Sequence, residues 1–189
     1  MGSNFVGSGM QCAFGTQIVS AVFKSATRIT CTPPAHSASV VAFETRLNGA
    51  PVVMTAAHSF AFQPAAQVFS ISPESSVVSE STTVVVVGSN FVNSGSLMCR
   101  FGKSASKARW VSASKLECAP PLTLAPGSVG VEISNNGLDF TTNAVQFRCL
   151  AVSEVAAASP AFGSVEGGTL VVVTGRNFAH SGTLRCRFG

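Results

Sequence analysis

Apolar residues in this chain fall into short extended runs with a period of two, broken repeatedly by Gly, Pro, Asn and Ser. Gly127-Ser-Val-Gly-Val-Glu-Ile-Ser134 alternates and turns Val129, Val131 and Ile133 to one face. Leu97-Met-Cys-Arg-Phe101 does the same with Leu97, Cys99 and Phe101, and Lys115-Leu-Glu-Cys118 buries Leu116 and Cys118 while exposing Lys115 and Glu117. Thr82 to Gly88 is a continuous apolar run suited to a central strand. In Gln67-Val-Phe-Ser-Ile-Ser-Pro73 the period of two predicts Val68 and Ser70 on one side and Phe69 and Ile71 on the other, with Pro73 ending the strand or confining it to an edge. Val40 to Phe43 leads into Asn48-Gly49, a hairpin signal, and a later strand ends at Phe60-Ala-Phe62. Asn136-Gly137 turns the chain toward Asp139-Phe140 and a last strand carrying Val145 and Phe147. Trp110, the one tryptophan, is expected over a disulfide or a sheet edge. About seven short strands in roughly 85 residues, without a helical period, define an antiparallel β-sandwich.

The pattern repeats at domain length. Gly88-Ser-Asn-Phe-Val-Asn-Ser-Gly-Ser-Leu-Met-Cys-Arg-Phe-Gly102 recurs as Gly2 to Gly15 and as Gly175 to Gly189, about 87 residues apart. In Gly-x-Asn-Phe the Gly and Asn let a strand bulge or end abruptly, and the Phe folds back as an anchor. The spacing divides the chain into residues 1–63, a repeat lacking its N-terminal strands; 64–148, a complete repeat; and 149–189, the N-terminal part of a third, with Pro160 at the place of Pro73. Partial repeats would leave strand edges and apolar faces open, so the chain is expected to be a window onto a longer array. Head-to-tail complementation between copies is the alternative, weakened because both partial repeats carry the same Gly-x-Asn-Phe to Phe-Gly segment.

Composition adds little to this picture except through cysteine. Only 11% of residues are charged and the net charge is +4. No run is long enough to span a bilayer, so no membrane insertion by this segment is expected, and no targeting signal follows Met1. Cys12 and Cys31 are separated by the same 19 residues as Cys99 and Cys118, at equivalent places in successive repeats. Duplicated spacing without Cys-x-x-Cys or accompanying His predicts one disulfide per domain and an oxidising compartment. Cys186 matches Cys99, but its partner would fall beyond the chain; Cys149 has no aligned mate, leaving a free buried thiol, a bond to a neighbouring segment, or pairing with Cys186.

Arg100, Lys103, Lys107, Arg109 and Lys115 crowd one stretch, either a solvated loop or a contact for polyanion or an acidic partner. His36, His58 and His180 share no spacing and the eight carboxylates are scattered, so neither a catalytic constellation nor a cofactor site is expected. Asn135-Asn-Gly-Leu-Asp139 is too poor in oxygen ligands for calcium and reads as a turn. No N-x-Ser/Thr sequon is present.

Ser72-Pro73, Gly88 to Phe91, Cys99 to Gly102, Trp110 to Ser112, Leu116 to Pro121, Pro126 to Val129 and Ser134 to Phe140 together resemble the IPT/TIG repeat, and are most similar to repeats of large protist, algal and fibrocystin-like surface proteins. The resemblance implies an all-β chain of tandem immunoglobulin-like antiparallel β-sandwiches of the E-set type. The first repeat departs from it, with Val22-Phe-Lys24 in place of Trp-Val-Ser and Ala38-Ser-Val-Val41 in place of Pro-Gly-x-Val. Two functions follow from such a family. One is a non-catalytic extracellular structural or adhesion array, part of a filament or stalk, whose partners are other repeats of the polypeptide, neighbouring copies, and a glycan or protein ligand. The other is an intracellular DNA-binding or regulatory module, which paired cysteines and weak net charge disfavour.

Overall fold

The computed structural model describes residues 5–53, 56–78, 80–178 and 184–189, and every regular element in them is a strand. The chain divides into two compact units, Met1–Pro64 and Ala65–Gly189.

The first unit contains β1 (Met10–Phe14), β2 (Gln17–Ser20), β3 (Val22–Ser25), β4 (Arg28–Thr30), β5 (Ser39–Leu47), β6 (Ala50–Pro51) and β7 (His58–Phe62). Its main sheet runs β2-β1-β5-β6 with β7 also on β5, and β3 and β4 form a separate hairpin. Asn48 and Gly49 both take positive φ, 50° and 86°, which closes the β5-β6 turn with the twist that two-residue hairpins need. Register places Phe14 opposite Phe43 and Val41 opposite Phe60. The Phe14 ring accordingly lies 5.2 Å from Phe43 and 5.1 Å from Phe60, with tilted and edge-on geometry that suits the ring quadrupoles.

The second unit begins with the stretch read from the sequence as the complete repeat: β8 (Gln67–Ser72), β9 (Ser75–Val77), β10 (Val84–Ser89), β11 (Met98–Phe101), β12 (Ser104–Ser112), β13 (Lys115–Cys118), β14 (Gly127–Ser134) and β15 (Val145–Leu150). These join in the order β8-β10-β13-β12-β11-β14-β15-β9. β12 belongs to both layers, because Ser104–Lys107 pair with β11 and Ala108–Ser112 pair with β13. Val84, Val86 and Leu116 from one layer meet Phe101, Val131, Ile133 and Phe147 from the other, all at most 1% exposed. This is an immunoglobulin-like β-sandwich, filled by side chains from both inner faces.

One strand departs from the period of two. Val68 and Ile71 are both buried while Phe69 is 60% exposed, where strict alternation puts Phe69 and Ile71 on the same side. The register explains the difference: Val87 faces Ser70 and Gly88 faces Val68, so Phe69 is an extra residue and the strand changes phase there. Gly88 is required at this crossing, since a Cβ would land on the Gln67 carbonyl oxygen and against the Phe91 ring. Asn90 follows at φ 60°, its Nδ2 donating to the Ala65 carbonyl at 2.9 Å, and Phe91 turns into the core. The Trp110 indole N–H donates to the Phe91 carbonyl at 3.3 Å, so the tryptophan braces this corner, half-buried against the core.

The remaining strands, β16 (Glu154–Ser159) and β17 (Val172–Arg176), pair antiparallel as a sheet of two. They repeat the features of β8 and β10. An irregularity falls between Val155 and Ala157, and Asn177, at φ 61°, donates to the Val152 carbonyl at 2.9 Å. A Cβ on Gly175 would meet the Glu154 carbonyl and the Phe178 ring.

Candidate interaction surface

The basic stretch lies on β11, β12 and β13. Alternation along β12 sends Lys107 and Arg109 outward while Trp110 turns inward. Arg100 Nε donates to Glu132 Oε2 at 2.6 Å, and its guanidinium sits 4.0 Å from the Phe140 ring centroid. Arg109 Nε donates to Glu117 Oε2 at 2.8 Å across the β12-β13 pair. Both arginines are therefore neutralised by carboxylates, and Lys103, Lys107 and Lys115 are the exposed cations of the stretch without an ion pair among the described residues. What remains of the stretch to attract a polyanion is its three lysines, spaced along β12 from the turn before it to the start of β13.

The Asn135–Asp139 segment is a clasp. Asn135 Oδ1 accepts the Val92 N–H at 3.0 Å and its Nδ2 donates to the Asn90 carbonyl at 2.8 Å, tying this loop to the Gly-x-Asn-Phe corner. Asn136 Oδ1 accepts the N–H groups of Leu138 and Asp139, both at 2.9 Å, and its Nδ2 donates to Asp139 Oδ2 at 2.7 Å. The oxygens are spent on closing the turn, and among the described residues no three His, Cys, Asp or Glu converge as metal ligands would. His36 stacks on Phe62 with centroids 4.6 Å apart, His58 opens β7, and His180, like Gly2 to Asn4 of the first motif copy, lies outside the described residues.

Cys12 is bonded to Cys31, and Cys99 to Cys118. The second bond ties β11 to β13 inside the core, where both sulfurs are shielded. Cys149 and Cys186 are free thiols, the first buried and the second exposed. Burial pushes the Cys149 thiol pKa up, because desolvation disfavours the thiolate. With Val77, Leu122, Leu124 and Phe147 it lines a cavity of about 10 Å³, room for no more than about one water. Sequence patterning marks Asn90 and Asn135 only as turn residues; their mutual contact, across 45 positions, has no local signal.

The disulfide-bonded sandwich of β8 to β15 fills its interior with side chains from both layers and turns its loops and edges outward. The IPT/TIG domain family model matches residues 66–149 and 153–189, more than half of the chain. The chain belongs to the IPT/TIG domain family. Among curated proteins none matches the sequence. Among solved structures it is similar to the plexin A4 full extracellular region, domains 1 to 10, at TM-score 0.54 and 16% identity, over 96% of this chain and 16% of that one. A second structure of the plexin A4 extracellular region, with domains 1 to 8, aligns over 75% of this chain and 22% of that one at 12% identity and TM-score 0.36. At such identities the likeness speaks for the fold alone, and this chain spans about a sixth of the longer plexin structure.

Proposed function

We propose that this chain is part of a non-catalytic extracellular array, in which immunoglobulin-like repeats follow one another with little linker and serve as stalk, adhesion surface or filament subunit. The observation that carries the reading is the disulfide recurring at the same place in successive repeats, Cys12–Cys31 and Cys99–Cys118. Such bonds persist in oxidising compartments and are rare where glutathione keeps thiols reduced. The filled sandwich core and the absence of convergent titratable groups among the described residues fit a role in presenting surfaces. Its partners are then repeats of the same polypeptide, neighbouring copies, and a glycan or protein ligand met through exposed edges and loops, with Lys103, Lys107 and Lys115 as its unpaired cations.

Disulfide mapping tests this. In protein isolated from its native source with free thiols blocked at lysis, peptide mass analysis should find Cys12 joined to Cys31 and Cys99 joined to Cys118. All four of these cysteines found blocked would favour a reducing compartment and an intracellular regulatory or DNA-binding module instead.

A further inference from the structure

We propose that the outer face of β8, β10, β13 and β12 binds a protein segment that presents a carboxylate between apolar side chains. This rests on the extracellular array reading and deepens it, by giving the sandwich of β8 to β15 a ligand site and stating the chemistry that fills it.

The site is a stripe that crosses four strands. In β10 and β13, Val86 and Leu116 point into the core, so Val87 and Lys115, which face each other across the pair, point outward. On the β8 side the stripe continues into Phe69, the extra residue between Val68 and Ser70, which stand opposite Gly88 and Val87. On the β12 side it continues into Val111, the extra residue between Trp110 and Ser112, and Ser112 faces Lys115. Phe69 is 60% exposed, Val87 41% and Val111 37%. The ends of the stripe are three strand spacings apart, about 14 Å.

The fold does not require these side chains. β16 and β17 form the same bulge as β8 and β10, and its extra residue is Ala156 where β8 has Phe69. Thr174 there takes the place of Val87. In the first unit, the β3-β4 hairpin repeats the bulge of β12, and its extra residue is Lys24 where β12 has Val111. Each bulge therefore forms equally around a small or a charged residue. In the sandwich of β8 to β15, both bulges and the strand between them instead carry apolar groups into water. Bulges re-aim side chains at functional places, and a contiguous apolar patch with a polar surround marks an interaction site.

The charges decide what fits. Glu117, the next outward residue on β13, is bonded to Arg109. Lys115 has no ion pair among the described residues and lies between Val87 and Val111. A second copy laid on the same stripe about a two-fold axis, with Phe69 against Val111, sets each Lys115 against the other's Val87. Two ammonium groups are then buried without partners, which is costly. A partner that brings a carboxylate to this point pairs Lys115 and covers the three apolar side chains together. Sugar hydroxyls find no hydrogen-bonding side chain at three of the four positions, whereas an aromatic anchor with apolar neighbours is what protein interfaces bury.

Panning the full chain with a displayed library of random peptides tests the proposal. Enriched peptides are expected to hold Asp or Glu among apolar residues and to bind Phe69→Ser at least about tenfold more weakly. Panning on Lys115→Glu should enrich Lys or Arg instead. Both substitutions change exposed side chains, so the core is left intact. Arg148→Glu makes the same change of charge on the other layer, in β15, and should leave binding of the acidic peptides unchanged. No enrichment, enriched peptides without an acidic residue, binding that ignores Phe69→Ser, or an acidic preference that survives Lys115→Glu each overturns the proposal. Binding of a heparin fragment that is lost in Phe69→Ser would put an acidic glycan on the stripe and overturn it too. The bonds Cys12–Cys31 and Cys99–Cys118 are mapped independently of this face, so failure here and failure of the extracellular reading are separable.

Discussion

At the scale of single residues, the corner at Gly88 to Phe91 is the most sharply determined part of the complete repeat. Gly88→Ala adds a carbon where a backbone oxygen and an aromatic ring already stand. Neither can move without shifting β8 or unseating Phe91, so the substitution should cost about 2 kcal/mol, read as a lower urea midpoint with unchanged m-value. Gly95, whose added carbon would meet nothing within 4 Å, is the control and should tolerate the same change. The two free thiols should differ as sharply. Cys186 is exposed and Cys149 is buried with its pKa raised, so a thiol reagent at pH 8 should modify Cys186 at once and Cys149 only after unfolding. The same shift has a consequence for stability. Below the unfolded thiol pKa of about 8.5 Cys149 is protonated in both states, and as pH climbs past it the unfolded chain ionises first, so stability declines through alkaline pH.

At the scale of elements, the two disulfides sit in unequal surroundings. Cys99 and Cys118 are at most 1% exposed, whereas Cys31 is half-buried beyond the end of β4. Graded dithiothreitol followed by alkylation and peptide mass analysis should therefore open Cys12–Cys31 first, since exposed bonds are more accessible to thiolate. Loss of the Cys99–Cys118 bond should cost about 3 kcal/mol for a loop of this length. Much at this level is readable from local chemistry: the Asn48-Gly49 hairpin, the inward set Val129, Val131 and Ile133, and the strand pattern that defines the sandwich. Each rests on neighbours within a few positions. What patterning misses depends on partners far away in the chain. The phase change at Phe69 arises because Gly88 lets β10 cross β8 closely, and nothing within β8 announces it. Likewise Arg100 and Arg109 read as free cations until pairing brings Glu132 and Glu117 beside them, and the Asn90–Asn135 clasp joins two turns that look independent.

At the scale of the whole molecule, the units should differ in how firmly they hold their backbones. The complete repeat has a two-layer core around Phe101 and Phe147, while in the first unit Phe43, Phe60 and Phe62 stay half-buried and the side chains of β16 are exposed. Hydrogen exchange at low protein concentration should show slow amides in β10, β13 and β14 and fast ones in β7 and β16; equal protection would mean that the open faces are covered. The complete repeat also has a mechanical property, set by the parallel pairing of β9 with β15. The Glu74 carbonyl accepts the Arg148 N–H at 2.8 Å, and the Val78 N–H reaches the Leu150 carbonyl at 2.8 Å, so the second and last strands of the sandwich are riveted side by side, pointing the same way. Tension entering through Ala65 and leaving through Ala151 drags these strands along each other. All the rungs between them are then loaded together rather than one at a time, so a pull along the chain meets this repeat in shear.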